Sequence, residues 1–199
     1  MSRTGDAAPG KRELRASARA RLDALPPDAQ RVASARIRAH LRGLDAWAGA
    51  TSVIAYLCEG TGEPDLDDLL REGIASGKTI ALPRMDWEAR AMTPRVPPGL
   101  DAVEVRRHGV REPLENAPAL DPGRAELVLV PGLAFDRSGG RLGRGAGFSA
   151  RFLGSAELST SAPVLGVCFA EQLVDRVPRD THDVGVGMLV TQEGVLRTQ

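Results

Sequence analysis

The sequence predicts an α/β fold: a three-layer sandwich with a mostly parallel sheet, two extra helices at the amino end and a hairpin at the carboxyl end. Two continuous apolar runs, "ELVLVPGLAF" and "APVLGVCF", read as strands buried on both faces, which is the habit of parallel sheets. The order "TSVIAYLC", "DLDDLLREGIASG", "KTIALPR" is strand, helix, strand, a unit whose strands run parallel with a right-handed crossover. A hydrophobic content of 42% in 199 residues is enough for one substantial core.

The elements follow in order. Residues 1–10 read as a loose tail and residues 11–199 as a single domain. "KRELRASARARLDAL" places Leu14, Ala18, Leu22 and Leu25 at helical spacing, an amphipathic helix with a basic face. A second helix opens on Pro27 and Asp28, with Val32, Ala35, Ile37 and Leu41 as its apolar positions. The helix of the βαβ unit ends near Gly77. From Trp87 to Ala119 the prolines and charges show little periodicity, which predicts loop with one or two short strands. A buried strand then ends near Phe135, and "GFSARFLGSAEL" predicts a helix from about Gly147. "GMLVTQEGVLRTQ" predicts two strands turning at Glu193-Gly194.

Charge excludes some classes of partner. Lys and Arg total 26, as do Asp and Glu, so a general nucleic-acid binder or a membrane-surface protein is not expected, and any phosphate site must be local. No stretch approaches the roughly 20 apolar residues of a membrane span, and the amino end lacks an apolar signal segment. The expectation is a cytoplasmic monomer. Cys58 and Cys168 form no metal cluster and read as buried or half-buried thiols.

The segment "GGRLGRGAGFSARFLG", Gly139 to Gly154, is the candidate site. In parallel α/β folds ligands sit beyond the carboxyl ends of strands, and this loop leaves such a strand for a helix. Bare glycine backbone brings N–H groups close to phosphate oxygens, and Arg141 and Arg144 supply forked donors. No Gly-Lys-Ser/Thr follows, so it is not a Walker loop. As a pattern alone it also fits a purely structural loop.

Several landmarks occur in one order: Lys11 and Arg15; "YLCEGTGEPDL" with Glu63; Pro83-Arg84; "GVREP" from Gly109 to Pro113; "ELVLVPGLAFDRSGGRLGRGAGF" with "RFL"; and "GVCFAEQLVDRVPRDTHDVGV". Together they resemble the 5-formyltetrahydrofolate cyclo-ligase family over nearly the whole chain. The resemblance implies a parallel-sheet sandwich and an ATP-dependent cyclisation of a reduced folate, 5-formyltetrahydrofolate, to 5,10-methenyltetrahydrofolate. It implies that Lys11, Arg15, Gly139, Arg141, Leu142, Gly143, Arg144, Gly145 and Gly147 bind ATP, and that Leu57, Glu63, Arg144 and Phe148 meet the substrate. Without it, Lys11 and Arg15 are two of several cations on a solvated face, and Glu63 reads as an acid near a helix amino end.

The resemblance also implies Mg2+ held by two aspartates, whose positions here are Ala150 and Gly187. Asp183 becomes the metal candidate, with Asp136 and Asp180 as further acids, although Asp136 also suits capping of the turn after its strand. Three readings follow: a working cyclo-ligase with a compensated metal site; a family member without that activity that binds nucleotide or folate as a regulator; or an ATP-dependent enzyme on another amide-containing metabolite. Trp47, Trp87 and Tyr56 could stack on a pterin or adenine, with core packing the default reading; His182 reads as structural, and His40 and His108 carry no assigned role.

Overall fold

A computed structural model describes residues 10–58, 60, 62–158, 162–180 and 184–198, so the expected tail lies outside them except for Gly10. The helices are α1 (Lys11–Asp23), α2 (Pro27–Arg42), α3 (Asp45–Gly49), α4 (Asp67–Ala75) and α5 (Phe148–Leu153). The strands are β1 (Ser52–Ile54), β2 (Thr79–Asp86), β3 (Ala91–Arg95), β4 (Val103–Val105), β5 (Arg111–Pro113), β6 (Leu127–Val130), β7 (Ala134–Asp136), β8 (Arg141–Leu142), β9 (Val164–Val167), β10 (Leu173–Val174), β11 (Met188–Thr191) and β12 (Gly194–Arg197). The main sheet has seven strands in the order β12-β11-β9-β6-β1-β2-β3. Its five central strands are parallel, and both edges, β12 and β3, pair antiparallel.

Alternation along the central strands builds the two sides of the core. Val53, Ile80, Leu82, Leu127, Leu129, Leu165 and Val190 face one cluster with the apolar residues of α1, α2, α3 and α4. Ile54, Ala81, Val128, Val130 and Leu189 face the other, with Phe152 and Leu153 of α5. Strands covered on both faces have no solvent side, which is why their sequence runs apolar without interruption. This gives helices, sheet and a thinner helical layer, the expected three-layer architecture with its terminal hairpin.

Four expectations need correction. The buried face of α2 is Gln30, Ala33, Ser34, Ile37 and Leu41, while Val32 is 47% exposed. Polar Gln30 and Ser34 stand on this face where Val32 and Ala35 were expected, and both are satisfied inside: Gln30 donates to the Leu25 carbonyl, and Ser34 Oγ donates to the Gln30 carbonyl. The run "ELVLVPGLAF" is broken after Val130, and its second half, β7, joins a small sheet with β8 and β10. The segment 87–119 holds three strands rather than one or two, because β3 closes a hairpin on β2 through a turn held by Asp86. Finally, α5 stops at Leu153 before Gly154, six residues instead of the longer helix expected.

Leu129 sits between the layers at 1% exposure. Leu129→Ala is expected to cost about 2–5 kcal/mol in urea unfolding, whereas Val32→Ala on the outward face of α2 costs about 0.5 kcal/mol or less.

Candidate functional site

Sheet order locates the site. From β1 the chain steps to β2 on one side, and the later strands β6, β9 and β11 fill the other, so loops leaving β1 and β6 diverge from neighbouring carboxyl ends. A crevice of this kind is where parallel α/β sheets bind ligands. The loop after β1 carries Glu63, the chain after β6 carries the β7–β8 hairpin and the glycine loop, and α1 lies across both.

The hairpin is organised by Asp136, whose side chain is only 2% exposed. Its Oδ1 accepts from the Ser138 amide, the Ser138 hydroxyl and the Gly140 amide at 2.7–2.9 Å. Its Oδ2 accepts from the Val177 amide at 2.7 Å, and Arg179 lies 3.3 Å from Oδ1. Burial pushes the carboxyl's pKa up, but the bonds from Ser138, Val177 and Gly140 and the charge of Arg179 outweigh it, leaving the group below its ordinary value. Asp136 therefore has the capping role and is committed to protein donors. Gly140 must stay bare because a Cβ there would collide with the Asp136 carboxylate, and Gly139, at φ +82°, would collide with the Val186 carbonyl.

Beyond β8 the loop turns over the carboxyl edge toward α1. Arg15 Nε donates to the Gly143 carbonyl at 3.1 Å, and Arg19, one turn on, reaches the Arg144 carbonyl at 3.4 Å. Lys11 pairs with Asp180 at 2.7 Å on the segment that follows β10. The spacing of Lys11, Arg15 and Arg19 puts three cations on one stripe of α1 facing the loop. Gly145 lies at φ +120° beside the Arg15 guanidinium, and Gly147 at φ +79° opens α5. Arg141 donates to the Pro131 carbonyl at 3.3 Å.

Glu63 is buried, and Arg144 Nε donates to its Oε1 at 3.1 Å, joining the two diverging loops. The Glu63 loop is itself moulded by α2: Gln30 accepts from the Gly62 amide at 3.1 Å and Ser34 from the Asp65 amide at 3.0 Å. Tyr56 donates to the Pro64 carbonyl, and the Cys58 thiol to the Gly60 and Glu63 carbonyls. Burial, reinforced by Glu63 and Asp65, pushes the Cys58 thiol up to about 12, so it is uncharged at neutral pH. α4 begins only at Asp67, so Glu63 is a partner of Arg144 and not an acid of the helix's first turn.

Phe148 meets Trp87 edge-on at 4.8 Å between ring centres, with His108 tilted against Trp87 at 5.3 Å and Arg107 4.5 Å from its ring. Trp87 is thus a wall residue beside the loop and not part of the central core; Trp47 and Tyr56 are core residues as expected. Leu57 and Leu142 point into the core, so they shape the backbone of the site. Sequence reasoning passed over Arg19 and Arg151; their four-residue spacing from Arg15 and Gly147 was the available signal.

The two positions that the resemblance gives to metal-binding aspartates stand on different elements. Ala150 lies in the first turn of α5 at the carboxyl edge, whereas Gly187 precedes β11 and donates its amide to the Val164 carbonyl at the amino edge. Asp183, with His182, lies outside the described residues. Among the described residues no three His, Cys, Asp or Glu side chains gather as a metal site.

A model of the 5-formyltetrahydrofolate cyclo-ligase family matches residues 7–192. The chain belongs to that family. It is 35% identical over 172 residues to a 5-formyltetrahydrofolate cyclo-ligase of Mycolicibacterium smegmatis, covering 83% of this chain and 85% of the relative. The solved structure of 5,10-methenyltetrahydrofolate synthetase from Aquifex aeolicus superposes with a TM-score of 0.78 at 29% identity, covering 95% of this chain and 93% of the other. The synthetase from Mycoplasma pneumoniae shares the fold, with a TM-score of 0.71 at 16% identity over 92% of this chain and 99% of the other. The cyclo-ligase fold thus accounts for the extra helices as well as the sheet: α1 is what covers the glycine loop.

Asp136→Asn is expected to destabilise the chain by about 3 kcal/mol at neutral pH, since it removes a buried charge from its donors and from Arg179. The carboxyl's folded pKa lies below its unfolded value of about 3.8, so its contribution is present above that value and is lost as pH falls through the folded pKa. Unfolding measured from neutral pH into that acid range should show a shallower acid loss of stability in the variant than in the wild type.

Proposed function

We propose that the chain is an ATP-dependent 5-formyltetrahydrofolate cyclo-ligase producing 5,10-methenyltetrahydrofolate. The observation that carries this reading is that Arg15 of α1 holds the glycine-rich loop at Gly143 while Arg144 of that loop reaches Glu63 across the sheet's switch point, in a chain of this family.

The reaction divides into two displacements. The N5-formyl oxygen attacks the γ-phosphorus of ATP and ADP departs; N10 then attacks the activated formyl carbon and gives up its proton to water, the ring closes, and phosphate leaves with the former formyl oxygen. An amide oxygen is a poor leaving group and a phosphate a good one, so the ATP is spent on making that exchange. The protein's task is positioning and charge neutralisation. In this reading the backbone from Gly143 to Gly147 lies along the triphosphate while Lys11 and Arg15 balance its charge from α1. Glu63 and Arg144 stand at the border between the two loops, where the formyl group would meet the γ-phosphate. The wall of Phe148 and Trp87 flanks that border.

The described residues do not fit a protein-held magnesium ion. Asp136 is saturated by protein donors, Asp180 is paired with Lys11 and Glu63 with Arg144. Mg2+ entering with ATP is held chiefly by the phosphates and water, so no step here is assigned to a metal seat of the protein.

The test is the absorbance assay for 5,10-methenyltetrahydrofolate with purified protein, 5-formyltetrahydrofolate, ATP and Mg2+. Wild-type protein is expected to turn over; a folded protein that forms no product contradicts the proposal. Arg15→Gln is expected to raise the KM for ATP about ten- to a hundredfold while leaving that for the folate unchanged, the loss of one charge-assisted contact.

A further inference from the structure

Arg151 lies one turn into α5, and its side chain turns back toward the glycine loop. Nε donates to the Arg90 carbonyl at 2.7 Å and Nη2 to the Ala146 carbonyl at 2.9 Å, which pins the guanidinium plane beside the end of the loop. The Arg90 carbonyl is itself fixed, since Arg90 closes the β2–β3 turn at φ +53° and Asp86 accepts from the Glu88 and Ala89 amides. Nη1 lies 2.6 Å from where a Cβ on Gly147 would stand, so only glycine admits the guanidinium there. Among the described residues no carboxylate pairs with Arg151 and Nη1 meets no acceptor, and the residue is exposed beside the loop.

We propose that Arg151 is a further nucleotide-phosphate contact, holding the triphosphate from the side of the loop opposite α1. The inference rests on the ATP reading above. A forked cation already immobilised by two carbonyls loses little conformational entropy when it takes an anion, which makes it a better phosphate ligand than an arginine waving in water. It also answers the charge of the site. The ion-paired cations Lys11 and Arg144 meet carboxylates of the protein, whereas Arg151 brings net positive charge to a loop that has no acid at position 150.

Equilibrium dialysis with ATP or with 5-formyltetrahydrofolate, in magnesium buffer, tests the assignment. Arg151→Gln is expected to weaken ATP about ten- to a hundredfold and leave the folate's affinity unchanged. Arg151→Lys keeps the charge but cannot span both carbonyls, so it should lose clearly less ATP affinity than the glutamine variant. Arg36→Gln, which removes the same charge from the exposed face of α2, should bind ATP as the wild type does. ATP binding by Arg151→Gln at wild-type strength overturns the inference, as does a loss confined to the folate. Equal losses in the glutamine and lysine variants also overturn it, because they mark Arg151 as a clamp between Arg90 and the loop. Wild-type protein that binds no ATP at all removes the cyclo-ligase reading and this inference with it.

Discussion

The site depends on one buried carboxylate. Asp136 gathers four hydrogen bonds from Ser138, Gly140 and Val177, and thereby fixes the turn between β7 and β8, the start of the glycine loop and the segment that leads to Asp180. A buried anion without these donors would be costly, and the donors without the anion would be orphaned, so each side of the arrangement requires the other. The glycines at 139 and 140 follow from the same constraint: the chain turns so tightly around the carboxylate and against Val186 that no Cβ fits.

From that fixed point the electrostatics become local. The chain's formal charge is zero, yet the carboxyl edge beyond β6 holds a stripe of cations from α1 on one side of the loop and Arg151 on the other. Acids enter this region as partners of particular cations, Glu63 to Arg144 and Asp180 to Lys11, so the positive potential is confined to the bare backbone between them. A triphosphate carries its charge along a line, and a backbone loop flanked by arginines matches that shape better than a single pocket would.

Much of this was legible in the sequence because the physics is periodic or compositional. Apolar runs marked β6 and β9, helical spacing marked α1, and the glycines with Arg141 and Arg144 marked the loop. What was not legible depended on tertiary satisfaction. The buried face of α2 includes polar Gln30 and Ser34, whose partners lie in the Glu63 loop, so apolar spacing alone pointed to Val32 and Ala35 instead. β3 was hidden because an edge strand paired on one side needs little periodicity and even tolerates Pro94. Arg151 escaped notice because its role depends on the carbonyl of Arg90, 61 positions away.

The central claim is that the backbone from Gly143 to Gly147 is the triphosphate site. Titration of isotope-labelled protein with ATP, followed by amide resonances, tests it most directly. The account predicts saturable shifts concentrated at Gly143, Gly145 and Gly147 and at the Arg15 side chain. Saturable shifts centred instead on the arginine cluster of α2 and α4, at Arg38, Arg42 and Arg71, with the glycine loop silent, would contradict it.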